Sequence, residues 1–187
     1  MNRLEAALVD VVGFLDLRGV PHAAIGGFAN LYWGRPRLTQ DLDLKISLEE
    51  GQWEEFVTEA ASRFELLPPK PLEMLRDLRV LPIATRAGVR VDLVVAGLPY
   101  EESAIRRAVP IDVAGTTVRL CTAEDLVLHK IISDRPRDRD DVEGIIVRQG
   151  PRLDRAYLDP LIEQLARGLE RPDLADFYRA CLSAAGM

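Results

Sequence analysis

The sequence predicts an α/β (α+β) chain: a core of about 120 residues in which strands and helices alternate, followed by a helical tail. Three observations carry that expectation. Short apolar or alternating runs bounded by glycine or proline recur between residues 22 and 120, as strands require. Between them lie stretches with apolar residues three and four apart, the spacing of a helix with one buried face. After Thr122 the helical period continues without interruption by strand-like runs.

Residues 2–19 place Leu4, Ala7, Leu8, Val11, Val12 and Leu15 on one helical face, and Gly19 and Pro21 end that helix. "HAAI" (22–25) is a short apolar strand that runs into Gly26 and Gly27, and "FANLYW" can then make one or two helical turns. In "LTQDLDLKI" the residues alternate, with Thr39, Asp41, Asp43 and Lys45 on one face and Leu42, Leu44 and Ile46 on the other. An amphipathic helix over 48–63 follows, with Ser47 available as its cap, and "PPKP" (68–71) reads as a stiff connector. "LRVLPIAT" and "GVRVDLVVAG" predict two strands joined near Ala87 and Gly88, with Pro82 confining the first to an edge or bulge. "YEESAIRRA" predicts a helix, "IDVAGTTVRL" a hairpin around Gly115, and "TAED" the capped start of the first of four helices near 123–133, 138–149, 154–169 and 172–184.

Composition narrows the function. With 187 residues, 48% of them hydrophobic and 29% charged, the chain has the make-up of an ordinary globular protein. A net charge of −6 argues against indiscriminate coating of nucleic acid, which needs a basic surface to displace counterions. Cys121 and Cys181 are too far apart to suggest a metal knuckle or a disulfide framework. No apolar run has the length of a membrane span, and "MNRLEAALVD" carries acids where a signal peptide needs an apolar stretch, so the expectation is no membrane and a cytoplasmic location.

The charged residues inside the core pattern point to chemistry. Asp41 and Asp43, two apart on a strand, emerge on one face about 6 to 7 Å apart. Neighbouring carboxylates repel unless a cation lies between them, and a hard divalent ion such as magnesium is suited to a few carboxylates plus substrate phosphates. Asp92, which interrupts the valine-rich "VRVDLVV", is the candidate third acid, with pairing to Arg90 as its structural alternative. Gly26 and Gly27, between a strand and a helix, form a turn of the kind that lets backbone N–H groups face an anion.

The "GG" turn, "RPRLTQDLDL" and the later "VRVDLV" together resemble the DNA polymerase beta-like nucleotidyltransferase superfamily. The spacing of Arg37, Thr39, Asp41 and Asp43, with the later "TAEDLVLHKIISDRPRDRDDVEGII", is most similar to the AbiEii/AbiGii toxin-type branch. The resemblance covers residues 25–146. It implies a mixed sheet flanked by helices, with a catalytic core over 1–120 and a helical extension over 121–187 packed on it. It further implies an enzyme that moves an NMP from an NTP to a hydroxyl and releases pyrophosphate. Asp41, Asp43 and Asp92 would hold magnesium, or manganese in its place. Gly26, Gly27, Arg37, Thr39 and Lys130 would bind the nucleotide. The acceptor would be RNA such as a tRNA 3′ end, a protein, or a small molecule, and a toxin-type system would add a cognate antitoxin as partner. Phe28 departs from the pattern, since many relatives carry a small or hydroxyl residue there.

Two other readings stand beside this one. One is transfer to an aminoglycoside or lincosamide, and the other is a nucleotide-binding module without catalysis. Lys130, one of three lysines against 21 arginines, is as well explained by a side chain lying along a helix margin. Surface pairing with Asp138, Asp140 and Asp141 is the expected role of Arg35, Arg135, Arg137 and Arg139, and His22 and His129 read as ordinary structural residues.

Overall fold

The computed structural model describes residues 1–187 and divides by packing into two units: Met1–Phe28 with Leu38–Cys121, and Ala29–Arg37 with Thr122–Met187.

The first unit is built on one seven-stranded sheet. Its strands are β1 (His22–Ile25), β2 (Asp41–Ile46), β3 (Glu65–Leu66), β4 (Val80–Ala84), β5 (Arg90–Val95), β6 (Val109–Val113) and β7 (Thr116–Leu120), in the order β3-β4-β5-β2-β1-β7-β6. β1 runs parallel to β7 and β2 parallel to β5, while the other neighbours are antiparallel, so the sheet is mixed as expected. The alternation in β2 has its physical result: Leu42, Leu44 and Ile46 are buried on one face, and Asp41, Asp43 and Lys45 share the other. β1, in the middle of the sheet, is buried at all four positions, which explains a continuous apolar run in place of alternation.

Four helices belong to this unit. α1 (Arg3–Leu17) starts at Asn2, whose side chain accepts the Glu5 N–H while the Glu5 carboxylate accepts the Asn2 N–H. Its buried Phe14 meets Phe56 of α3 (Trp53–Arg63) and Phe64, with ring centroids 5.8 and 5.1 Å apart. α4 (Pro71–Leu78) carries proline in its first turn, and α5 (Pro99–Arg107) lies on the Lys45 side of the sheet. There Lys45, nearly inaccessible, donates to Glu101 at 2.5 Å, and the other oxygen of Glu101 accepts the N–H groups of Gly97 and Leu98. A buried ammonium is thus satisfied by the acid that also opens the helix.

Three local expectations are corrected. Ser47 is not a helix cap: its hydroxyl donates to Glu102, and Glu49 opens a short 3-10 turn (Glu50–Gln52) ahead of α3. Pro82 lies in β4, second from the edge. Its carbonyl accepts the Leu67 N–H just past β3, so the side on which proline lacks a donor faces a neighbour only two residues long. α4 and β3 themselves were not expected, because the prolines at 68, 69 and 71 look like a connector until Pro71 is seen to begin a helix.

α2 (Gly26–Trp33) starts in the first unit and continues into the second. The second unit otherwise consists of α6 (Ala123–Ile131), α7 (Pro136–Gln149), α8 (Arg155–Gly168) and α9 (Pro172–Ala184), each within about two residues of its expected limits. α6 is capped by Thr122, which accepts the Asp125 N–H and donates to its carboxylate, and Tyr157 of α8 donates to the other Asp125 oxygen. The carbonyls at the end of α2 are taken up by α7: Arg148 donates to Leu31 and Gly34, and Gln149 to Trp33. No helix is long and apolar enough to cross a membrane.

Candidate functional site

The three acids come from two neighbouring strands. In the parallel pairing of β2 with β5, Asp43 stands directly opposite Asp92, and Asp41 opposite Arg90. Partners in register share a face of the sheet, so Asp41, Asp43, Asp92 and Arg90 all lie on the face opposite Leu42 and Leu44. Asp41 is exposed at the start of its strand, while Asp43 and Asp92 are half-buried.

The glycine turn meets the same acids. Ile25 pairs with Asp43 across β1 and β2, so the next residue, Gly26, arrives beside the Asp43 carboxylate. Gly26 has φ +63°, and a Cβ on it would lie 1.9 Å from Asp43 Oδ2. Both the conformation and the missing side chain are therefore required. Gly27 follows in the first turn of α2, where the amino end of the helix carries a partial positive charge. Phe28 turns its ring into the core and is 4% exposed.

Thr39 donates to the Asp41 carboxylate at 3.0 Å and to its carbonyl at 3.2 Å. Arg90 bridges both oxygens of Asp92, at 2.9 and 3.2 Å. Its guanidinium is held above its usual pKa, mainly by that hydrogen bond and charge and further by the charges of Asp41 and Asp43, against an opposing effect of burial. As the side chains stand, no three acids converge as metal ligands.

In the second unit, Arg37 and Lys130 are both engaged with carboxylates. Lys130, 5% exposed, donates to Asp138 at 2.8 Å and lies 2.7 Å from Asp141, while Arg37 holds Asp141 through Nε and Nη2 at 2.9 and 2.7 Å. Asn30 adds a third donor to Asp141, and Ser133 and Arg135 donate to Asp138. Burial raises the pKa of both acids, but these donors outweigh it and leave both below the usual aspartate value. Asp138 and Asp141 thus differ from the expected surface pairing: they are buried, and Arg135 meets Asp138 from the solvent side. The signal was present in the sequence, since Asp138, Asp141, Val142 and Ile145 recur at helical spacing on the stripe that α7 buries.

The residues 4–166 match the family model described as "Nucleotidyl transferase of unknown function (DUF2204)". The chain belongs to this family. It is therefore an enzyme of the nucleotidyl transferase class. No curated protein matches the sequence. Among solved structures it is similar to an antigenic nucleotidyltransferase-like protein from Paracoccidioides brasiliensis, at 20% identity and TM-score 0.53 over 95% of this chain and 93% of that one. It is also similar to the antibiotic-resistance factor ANT(2″)-Ia in solution, at 16% identity and TM-score 0.55 over 91% and 98%. ANT(2″)-Ia in complex with adenylyl-2″-tobramycin matches at 14% identity and TM-score 0.53 over 94% and 97%. These likenesses show that the fold is that of nucleotidyltransferases.

Proposed function

We propose that the enzyme transfers a nucleoside monophosphate from an NTP to the hydroxyl of a small molecule, at Asp41, Asp43 and Asp92. The observation that carries the reading is the direct opposition of Asp43 and Asp92 on parallel strands, with Gly26 packed against the Asp43 carboxylate. Three carboxylates are hard oxygen donors, and the missing side chain at Gly26 leaves the Asp43 carboxylate the place it occupies opposite Asp92, so the residues fit magnesium, or manganese in its place. A divalent pair bound there would supply neutralisation of phosphate charge and activation of the attacking oxygen.

The chain's own residues do the rest. Gly26 and Gly27 let the triphosphate approach the backbone at the amino end of α2. Thr39 orients the exposed Asp41 carboxylate through its hydrogen bond. Asp92 takes the acceptor's proton as the new O–P bond forms and the α–β phosphoanhydride bond breaks, with pyrophosphate leaving in line.

A small acceptor is favoured by the net charge of −6, which suits a cationic molecule better than a polyanion, and by likeness to a fold seen bound to adenylyl-tobramycin. RNA or protein as acceptor, with a cognate antitoxin, is what the AbiEii-type resemblance implies and what the assay separates. The test supplies each α-labelled NTP with magnesium or manganese to the protein, with aminoglycosides, lincosamides or total RNA as acceptor. Label on a small molecule supports the reading. Label on RNA or protein replaces the acceptor class, and binding of NTP without transfer to any acceptor replaces enzyme action at this site by binding.

A further inference from the structure

Lys45 on the same face is committed to Glu101, and Arg90 is the cation that the strand pairing places against the acids: it faces Asp41 across the β2–β5 pair and grips both oxygens of Asp92 two residues along its own strand. We infer that Arg90 is a resident counter-ion of this site, exchanged for the divalent cation, so that the Arg90–Asp92 fork must open before Asp92 can serve as a ligand. This rests on the metal-dependent reading proposed above.

Three features favour exchange over a fixed structural pair. The bidentate fork occupies both oxygens of Asp92, and a guanidinium left there would face a dication across a single carboxylate, two like charges held at close range. The partners differ in freedom: the Arg90 side chain is 53% exposed and has solvent to move into, whereas that of Asp92 is 22% exposed on a paired strand. Asp43 is already set, with Gly26 leaving room for its carboxylate, so opening the fork is the rearrangement that lets Asp92 turn towards it. Asp41, directly opposite Arg90, and Asp43, opposite Asp92, lie on the same face and add their attraction for the guanidinium.

The test is manganese binding, measured by the paramagnetic signal of free Mn2+ and by calorimetry, on the wild type, Arg90→Gln, Arg90→Lys, Asp92→Asn and the double variant Arg90→Gln/Asp92→Asn. No turnover is needed. Removing a half-exposed bidentate pair should tighten Mn2+ binding about fivefold, the equivalent of about 1 kcal/mol. Arg90→Lys, which keeps the charge but loses the fork, should fall between the two. In the Asp92→Asn background the gain from Arg90→Gln should vanish. Unchanged or weaker binding in Arg90→Gln overturns the inference. So does equal tightening with and without Asp92, which would mean general repulsion only. Binding that ignores Asp41→Asn and Asp43→Asn would instead overturn the metal site itself, and the exchange with it.

Discussion

Replacing Gly26 by alanine separates backbone strain from displacement of a carboxylate. At φ +63° an L-residue is strained by about 1 to 2 kcal/mol. The new methyl would also lie 1.9 Å from Asp43 Oδ2, inside any tolerated contact, and the carboxylate must yield because it is the movable end of a side chain. It has to retreat by about 1 Å or more, and a misplacement of that size at a reacting centre costs about a hundredfold in rate. Gly115→Ala is the matched control: its φ is +83°, and nothing lies within 4 Å of the added methyl. The two variants should lose similar stability in urea unfolding. Gly26→Ala alone should lose about a hundredfold in kcat/KM for nucleotide transfer. Equal activity in the two variants would refute the claim that Gly26 exists to admit the Asp43 carboxylate.

Three further outcomes follow from the packing. Lys130→Met leaves Asp138 and Asp141 buried with fewer donors and should cost about 3 kcal/mol in urea unfolding at pH 7, less than a lone buried charge because Arg37 and Arg135 remain. Both acids have a pKa lowered on folding, so their contribution is complete above the unfolded value near 3.8 and is lost as pH falls through the lower folded values. The urea midpoint should hold as pH falls towards 4 and drop below it, and Asp141→Asn should blunt that drop. Burial pushes the Cys181 thiol up to about 11, and Cys121 is also buried, so neither should react with a thiol reagent at pH 8 until the protein is unfolded.

The parts of the fold legible in the sequence were those written in local spacing. The apolar stripe of α1, the Asp-x-Asp alternation of β2 and the four helices after Thr122 are each set by residues within one or two turns of one another. α4 and β3 were hidden, since a helix that begins in a proline cluster and a two-residue strand leave almost no period to read. The position of Pro82 depended on which neighbour its missing N–H would face, a fact of pairing rather than of sequence. The same limit applies to the candidate site. Its residue types could be named from the sequence, but that Asp92 stands opposite Asp43, and that Gly26 touches the latter, comes from pairing between strands far apart in the chain. The helical spacing of Asp138 and Asp141 with Val142 and Ile145 signalled that α7 buries them, but that Lys130 and Arg37 are the cations that meet them was visible only in the packing.

The most direct measurement of the central claim is transfer of label from an α-labelled NTP to a hydroxylated acceptor by the wild type, Asp43→Asn and Asp92→Asn, each checked for an unchanged melting curve. The wild type should show magnesium-dependent transfer, and either variant none above background. Transfer that persists in the folded Asp43→Asn protein would contradict that claim.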